Sequence, residues 1–417
     1  MSQRLLRLSM GAHETSGQPS RPAIPFSPPD IREEDIEAVA EVLRSGWITT
    51  GPRTKAFEWA LSDFAGTPRT AALASATAAM ELTLRILGVG PGDEVITTAY
   101  TYTASASVIL HTGATVVLVD SAPGEYHIDL EAVTRAVTPR TKAVIAVDVA
   151  GIMCDHRQLI ERLAAQASSF RPASPLQDAL GRVTVIADAA HSLGASRQGL
   201  CSGQAADFTC FSMHAVKNLT TGEGGAITWR RELPVDHDAL YTQFMQTSLH
   251  GQTRDALTKA RRGGWEYDVE TPAYKANLTD IASALGLSQL RRYPRALSRR
   301  HELVSLYREL LGDGVTVINH RDEDQVSSAH LLMVDLQGRG GSVRNRLIEG
   351  LAERQVASNV HYKPLPMLTA YRRLGFDARN FPNAMERYEN EITLPLHTQL
   401  TEAHIERIAS DVRDLVG

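Results

Sequence analysis

The sequence has few cysteines and no long apolar run. Its 417 residues include only three cysteines, Cys154, Cys201 and Cys210, and these form no CxxC pair. Because any disulfide scheme leaves one cysteine over, the sequence favours a reducing compartment, and we expect a cytoplasmic protein. No apolar run reaches the roughly 18 residues of a membrane span. The first 23 residues lack the apolar core of a secretory signal, so we interpret residues 1–23 as a mobile N-terminal tail.

A strong excess of either charge is also missing. The chain has 43 Lys and Arg against 48 Asp and Glu, a formal net charge of −5. This balance gives no electrostatic reason to expect nucleic acid or an anionic membrane as a partner. Cys154-Asp155-His156 is too isolated to indicate a metal site, so we expect no metal. The glycines of Gly88–Gly92 precede a predicted strand instead of following one, which argues against a dinucleotide site.

The middle of the chain alternates runs rich in β-branched residues with helical stretches. This alternation predicts an α/β fold, with a mainly parallel sheet between helices. The runs are Glu94–Thr98, Thr115–Asp120, Ala143–Val149, Val183–Asp188, Asp207–Ser212 and Gly225–Trp229. From Ile281 onward the pattern changes to helices with a strand at His330–Asp335. We therefore predict a large domain of residues 24–280 and a smaller C-terminal α+β domain of residues 281–417.

The residues with the clearest chemical potential follow two predicted strands. Asp188 closes one strand, and Lys217 follows another in a loop bounded by Gly222–Gly225. Ligands of parallel α/β sheets bind at the carboxyl ends of the strands. A lysine amine at such an edge can form an imine with a cofactor aldehyde, and a carboxylate can keep a pyridine nitrogen protonated. A single lysine or aspartate is usually a surface charge or a helix cap, but the pair beside a glycine-rich loop favours a cofactor site.

Two further segments could contact such a cofactor. Ser75–Thr77 opens a predicted helix, whose N–H and hydroxyl groups could bind a phosphate or simply cap the helix. Tyr102 follows the strand Glu94–Thr98 and could stack on a planar cofactor or pack in the core. The pattern alone leaves both alternatives open.

Several ordered motifs extend from about Ile24 to the C terminus. They are Ser45–Pro52, Gly92–Val95, Thr138–Lys142, Ala187–Gly194, Phe211–Asn218, Gly222–Ile227, Tyr274–Asp280 and Leu394–His397. Together they resemble the DegT/StrS family of nucleotide-sugar aminotransferases, which are fold type I pyridoxal-phosphate (PLP) enzymes. The resemblance implies a large domain with a mainly parallel mixed sheet between helices, and a smaller C-terminal α+β domain.

The resemblance also implies roles for single residues. Lys217 would carry PLP covalently, Asp188 would bind its pyridine nitrogen, and His191 would lie beside the ring. Further cofactor contacts are implied for Tyr102, which would stack on the ring, and for Ala76, Thr77 and Ser212, which would hold the phosphate. Asn277 would reach the phosphate from the neighbouring subunit, which implies a homodimer with shared active sites. Substrate contacts are implied for Trp47, Thr49, His214 and His361.

The implied activity is transfer of an amino group from L-glutamate to a keto sugar linked to a nucleotide. His214 in Ser212–Asn218 resembles members that aminate carbon 4 of a 4-keto-6-deoxy sugar. Amination at carbon 3, amination of a cyclitol ketone, and a non-catalytic PLP-binding regulator remain alternatives. Lys217 argues against a PLP-dependent sugar dehydratase, because such members have histidine in its place. Arg261 and Arg262 are candidates for binding the diphosphate by their clustering alone.

Three positions depart from the family pattern. Ala187 precedes Asp188 where the family often has glutamate, Asp148 stands where many members have histidine, and Ala76 replaces the commoner glycine between Ser75 and Thr77. The first two departures concern substrate contacts. None of the three removes the lysine and the aspartate that transamination needs.

Overall fold

A computed structural model describes residues 21–254 and 266–417 of the chain. Residues 1–20 of the predicted tail, and the pair Arg261 and Arg262, lie outside the described residues. Within the described part, no helix is long and apolar enough to cross a membrane.

The strands alternate with helices as the sequence predicts. The strands are β1 (Thr70–Leu73), β2 (Glu94–Thr98), β3 (Thr115–Val119), β4 (Thr141–Val147), β5 (Thr184–Asp188), β6 (Ser196–Arg197), β7 (Leu200–Cys201), β8 (Phe208–Ser212), β9 (Gly225–Trp229), β10 (Thr316–Val317), β11 (Gln325–Val326), β12 (Leu332–Asp335) and β13 (Glu391–Leu394). The α-helices are α1 (Glu33–Ser45), α2 (Pro52–Ala65), α3 (Ala76–Ile86), α4 (Ala104–Thr112), α5 (Leu130–Ala136), α6 (His156–Ala164), α7 (Pro175–Leu180), α8 (His237–Ser248), α9 (Asp280–Leu311), α10 (Gly341–Glu353), α11 (Thr369–Arg373), α12 (Pro382–Asn390) and α13 (Glu402–Val416).

Seven strands form the central sheet, in the order β1-β9-β8-β5-β4-β2-β3. The strands from β8 to β3 pair in parallel, whereas β9 runs antiparallel to both β1 and β8. The predicted α/β class with a mainly parallel mixed sheet is therefore confirmed. Each predicted strand is present within two residues of its expected bounds, whereas β1, β6, β7, β10, β11 and β13 were not predicted.

Helices cover both faces of this sheet, which explains why β4 and β5 are buried along their whole length. On one face, Leu84 of α3 and Phe244 of α8 belong to one hydrophobic cluster. On the other face, Phe57 of α2 and Leu290 of α9 belong to a second cluster. Because β2, β4, β5 and β8 are parallel, their carboxyl ends meet at one edge of the sheet, where ligands bind in such folds.

The C-terminal part packs around a separate sheet of β10, β12 and β13. Its hydrophobic cluster includes Tyr307 from the second half of α9, and also Ile24, which pairs with Val356. The 32-residue helix α9 thus packs against the central sheet near its start and in the C-terminal cluster near its end. The predicted division at residue 280 falls at the start of this shared helix and stays a prediction.

Candidate active site

A cavity of about 510 Å³ lies at the carboxyl edge of the central sheet. Most of the predicted site residues line it: Ala76, Thr77, Tyr102, Asp188, His191, Ser212, His214, Lys217 and His361. The first eight of them come from the start of α3, from the last residues of β5 and β8, and from the loops after β2, β5 and β8. The cavity is closed from the C-terminal side by residues such as His330 and Tyr362.

Lys217 lies in the turn that follows β8, where its backbone N–H donates to the carbonyl of His214 at 2.9 Å. Burial lowers the pKa of the Lys217 amine to about 8, and the nearby Asp188 carboxylate partly opposes that shift. Within the described residues, Nζ makes no hydrogen bond and no ion pair. The structure therefore presents an amine that deprotonates readily and is free to react.

Asp188 ends β5 and is buried at the base of the cavity. Its Oδ2 accepts a hydrogen bond from Ser105 Oγ at 2.7 Å, and its Oδ1 accepts one from the Ala190 N–H at 3.3 Å. Burial raises the pKa of this carboxyl group, while Ser105, Ala190 and the charge of Lys217 act to lower it. A buried carboxylate held in this way is suited to pairing with a cation in the cavity.

His191 follows β5 and is held from the C-terminal part of the chain. Its Nε2 lies 3.0 Å from the phenolic oxygen of Tyr362, and its ring centroid lies 4.3 Å from that of His330. Burial lowers the pKa of His191 well below its usual value, with Lys217 and His361 contributing. The Nδ1 atom of His191 is buried and has no hydrogen-bond partner in the described part of the chain. A neutral ring with one unsatisfied nitrogen thus lies in the wall of the cavity.

The start of α3 forms a cradle suited to an anion. Ser75 caps the helix by accepting from the Ala78 N–H, which leaves the N–H groups of Ala76 and Thr77 at the cavity. A helix N terminus carries partial positive charge and attracts phosphate. Gly225 permits the cradle, because a Cβ there would lie 2.2 Å from the Ser75 carbonyl carbon and 2.3 Å from the Ala76 nitrogen. Ser212, at the end of β8, lines the same cavity.

Three predicted residues lie at the rim or the side wall. Tyr102 is 62% exposed, and its ring centroid lies 6.4 Å from that of Tyr362. His214 is also exposed, with its Nε2 3.6 Å from Glu223 Oε1. His361 is enclosed more fully, because its ring stacks on Phe26 with the centroids 5.8 Å apart.

Trp47, Thr49 and Asn277 do not line the cavity of their own chain. The indole N–H of Trp47 donates to the Thr50 carbonyl, and the Thr49 carbonyl accepts from the Asp280 N–H. Asn277 donates through Nδ2 to Thr50 Oγ1 at 2.6 Å and pairs with Leu73, two residues before Ser75. These three residues form one neighbouring surface beside the cradle.

The departure at Asp148 has a structural explanation. Its Oδ1 accepts from the Cys154 N–H and lies 2.8 Å from His156 Nε2, and its Oδ2 accepts from Ser192 Oγ at 2.6 Å. The carboxylate is buried below the loop that carries His191 and does not line the cavity. Asp148 therefore holds the His191 loop in place.

Sequence reasoning missed Ser105, His330 and Tyr362. Ser105 had a local clue, since it is the second residue of α4, the helix that follows Tyr102. His330 and Tyr362 lie more than a hundred residues beyond Lys217 in the chain, and only the folding of the C-terminal part brings them to the cavity.

The donor set fits PLP. One cavity is lined by an anion cradle, an unpaired amine of lowered pKa, a buried carboxylate and a histidine whose Nδ1 has no partner among the described residues. These groups match a phosphate, an aldehyde, a protonated pyridine nitrogen and a polar ring substituent. Ala76, Thr77 and Ser212 would hold the phosphate, Lys217 the aldehyde carbon and Asp188 the ring nitrogen.

Comparison with known proteins agrees with this chemistry. The model of the DegT/DnrJ/EryC1/StrS aminotransferase family matches residues 29–413. The spore coat polysaccharide biosynthesis protein SpsC of Bacillus subtilis is 35% identical over 399 residues, covering 94% of this chain and 97% of SpsC.

Solved structures show the same likeness. The putative sugar aminotransferase Spr1654 from Streptococcus pneumoniae is 48% identical, with a TM-score of 0.91, and the match covers 94% of this chain and 98% of that one. Its structures are described as PLP, PMP and apo forms. PseC of Helicobacter pylori, an aminotransferase involved in the biosynthesis of pseudoaminic acid, is 28% identical with a TM-score of 0.82, and the match covers 94% of this chain and 99% of PseC.

Proposed function

Because the chain belongs to the DegT/DnrJ/EryC1/StrS aminotransferase family and is a PLP-dependent sugar aminotransferase, we propose that it moves an amino group from L-glutamate to carbon 4 of a nucleotide-linked 4-keto-6-deoxy sugar. The observation that carries the chemistry is the single cavity in which Lys217, Asp188 and His191 face the N terminus of α3. Bound PLP supplies an electron sink for the pair released when a proton leaves the donor carbon.

Lys217 moves the proton. Its pKa of about 8 leaves a useful fraction of neutral amine near neutral pH, and a protonated amine can return the proton in the second half of the reaction. Asp188 keeps a proton on the pyridine nitrogen, because its buried negative charge favours the cationic ring. Ser105 holds that carboxylate in its orientation.

The other cavity residues orient the cofactor and enclose it. The N–H groups of Ala76 and Thr77 and the hydroxyl of Ser212 fix the phosphate end of the cofactor. His191, held by Tyr362, fixes the polar edge of the ring. Tyr102 supplies an aromatic face at the open side of the cavity. Held in this way, the reacting carbon would face Lys217.

The carbon-4 assignment rests on His214. His214 lies three residues before Lys217 at the rim, in the motif that resembles carbon-4 enzymes.

Among the described lining residues, Lys217 supplies the single Lys or Arg side chain. Cations that bind a diphosphate and a glutamate carboxylate must therefore come from elsewhere. A homodimer with shared sites would supply them, and the surface of Trp47, Thr49, Lys275 and Asn277 lies beside the cradle.

The relatives support a place in sugar biosynthesis. SpsC is described as a polysaccharide biosynthesis protein, and PseC as an aminotransferase involved in the biosynthesis of pseudoaminic acid. We place this chain in deoxyamino sugar biosynthesis, which feeds polysaccharides or antibiotics.

A matched pair of substrates tests the proposal. The purified holoenzyme is incubated with L-glutamate and either a 4-keto or a 3-keto 6-deoxy nucleotide sugar, and the product is analysed by NMR. We expect a new amine on carbon 4 and little turnover of the 3-keto sugar. An amine on carbon 3, or turnover of a free cyclitol ketone alone, would defeat the carbon-4 assignment. A cofactor absorbance band that does not shift with glutamate would instead defeat the choice of glutamate as the amino donor.

A further inference from the structure

A buried carboxyl group and a hydroxyl group lie directly behind His361. Glu391 and Thr393 both belong to β13 and are fully buried. Thr393 Oγ1 is hydrogen-bonded to Glu391 Oε1, and it lies 2.8 Å from His361 Nδ1. The backbone N–H of His361 donates to the other carboxyl oxygen, Glu391 Oε2, at 2.9 Å. A continuous path of hydrogen bonds therefore joins Glu391 to the ring that lines the cavity.

The protons on Glu391, Thr393 and His361 can occupy this path in two arrangements. If Glu391 is ionised, the Thr393 hydroxyl must donate to Oε1, so its oxygen accepts from His361 Nδ1–H and the Nε2 atom is left as an acceptor. If Glu391 is protonated, the proton sits on Oε1, because Oε2 is already occupied by the His361 N–H. Oε1 then donates to Thr393, whose hydroxyl donates to His361 Nδ1, and the ring proton moves to Nε2.

We propose that Glu391, acting through Thr393, sets the tautomer of His361 and so decides whether this ring donates or accepts a hydrogen bond in the cavity. Glu391 is a positioning residue, since it does not line the cavity itself. His361 Nε2 has no hydrogen-bond partner among the described residues, so it is available to a ligand.

The surroundings favour the protonated form of Glu391 near neutral pH. Burial raises the pKa of Glu391 to about 8, and Asp335, its strand partner on β12, adds to that shift while Arg344 opposes it. Burial lowers the pKa of His361 to about 3, so the ring stays neutral throughout. The other titratable or charged groups among the described residues that face this cluster are Tyr100, Tyr126, Tyr362, Arg387 and, on the cavity side, Lys217, His191 and His330.

The kind of ligand atom that His361 would contact follows from this tautomer, on the basis of the proposed function. Near neutral pH, His361 presents an N–H donor, which suits a carbonyl or phosphoryl oxygen of the keto-sugar nucleotide. Above about pH 8 it presents a bare nitrogen, which such an oxygen cannot use. The apparent KM for the acceptor is therefore expected to rise with pH across this range.

The tautomer can be measured without turnover. The holoenzyme is labelled with ring-¹⁵N histidine, the His361 signals are assigned by their loss in His361→Asn, and spectra are recorded from pH 6 to 10. In the wild type, we expect the protonated nitrogen to change from Nε2 to Nδ1 with a midpoint near pH 8. Glu391→Gln should lock the Nε2–H form at every pH, because its amide group accepts from the His361 N–H and donates to Thr393 as the protonated acid would.

Two matched variants separate the path from a merely structural role. Thr393→Val keeps the shape and breaks the path, so the pH response should vanish, whereas Thr393→Ser keeps the hydroxyl and should restore it. The proposal would be overturned if the His361 tautomer stayed constant with pH in the wild type, or if it still changed with pH in Glu391→Gln. The comparison of wild type with Glu391→Gln isolates the contribution of Glu391 from that of other groups that titrate in this range. If the tautomer changes with pH but the KM for the acceptor does not, the hydrogen-bond path stands and the contact between His361 and the acceptor is refuted.

Discussion

Ser105 Oγ lies 2.7 Å from Asp188 Oδ2 and is the side chain that orients this buried carboxylate. The hydroxyl comes from α4, the helix that begins just after Tyr102, so one loop supplies both an aromatic face and the orienting donor. This contact stabilises the ionised form of Asp188 against the cost of burial.

Removing the Ser105 hydroxyl should weaken catalysis without abolishing it. A hydrogen bond to a charged group contributes about 1.5–3 kcal/mol, so Ser105→Ala should reduce kcat by roughly one to two orders of magnitude. Asp188→Asn should reduce it further, because the charge itself is lost. Ser107→Ala removes a hydroxyl of the same helix that contacts Tyr371 instead, and its kcat should stay near wild type. Equal kcat values for Ser105→Ala and Ser107→Ala would contradict the orienting role.

Lys217→Ala should abolish turnover and covalent attachment of the cofactor. Borohydride reduction followed by peptide mass analysis should find the cofactor on Lys217 in the wild type and on no residue in the variant. Lys142 is the matched control, because its buried Nζ is held by the carbonyls of Pro139 and Arg171 and should not react. Cofactor fixed to another lysine in Lys217→Ala would refute the assignment.

The lowered pKa of Lys217 predicts how the cofactor-free enzyme captures added PLP. Capture needs the neutral amine, whose fraction rises about tenfold per pH unit below the pKa. The capture rate, followed by absorbance after rapid mixing, should therefore rise up to about pH 8 and then level off. A free lysine derivative, with a pKa of about 10.4, should keep accelerating beyond that pH. Asp188→Asn should shift the midpoint lower, because the Asp188 charge raises the Lys217 pKa.

The sequence predicted the parts of this site that depend on local pattern. A strand end marks Asp188 and a helix start marks Ala76 and Thr77, because strand and helix periods are visible within a dozen residues, whereas Ser212 was identified by the family resemblance. His330, Tyr362 and Glu391 could not be found in this way. They reach the site because the C-terminal sheet packs against the cavity, and no local pattern encodes that packing.

Replacing Gly225 should damage the phosphate cradle. In Gly225→Ala, the new Cβ would press on backbone atoms of Ser75 and Ala76, which cannot rotate away as a side chain could. Overpacking of this kind costs about 1–3 kcal/mol, and displacement of the α3 N terminus should weaken PLP binding by roughly tenfold or more. Gly314→Ala is the control, because nothing lies within 4 Å of its Cβ position. Thermal unfolding and fluorescence titration with PLP measure both effects, and equal PLP affinity in the two variants would argue against the cradle.

Asn277 provides the sharpest test of shared active sites. It lies beside the cradle of its own chain but outside that chain's cavity, whereas the family resemblance assigns it to the cavity of a neighbouring subunit. A Lys217→Ala chain and an Asn277→Ala chain should each be weakly active or inactive alone. After unfolding and refolding together, about half of the dimers are hybrids, and each hybrid has one site with both Lys217 and Asn277 intact. We therefore expect recovery of about a quarter of the wild-type activity.

The matched control for this experiment combines Lys217→Ala with Asp188→Asn. Both residues line the cavity of the same chain, so every site in a hybrid lacks one of them, and mixing should recover nothing. Analytical ultracentrifugation of the wild type should show a dimer or a multiple of it. Recovery in the first mixture and none in the second would establish that Asn277 acts across the interface. A fully active monomer, or no recovery in either mixture, would refute the shared site, and the cations for the diphosphate would then have to come from the same chain.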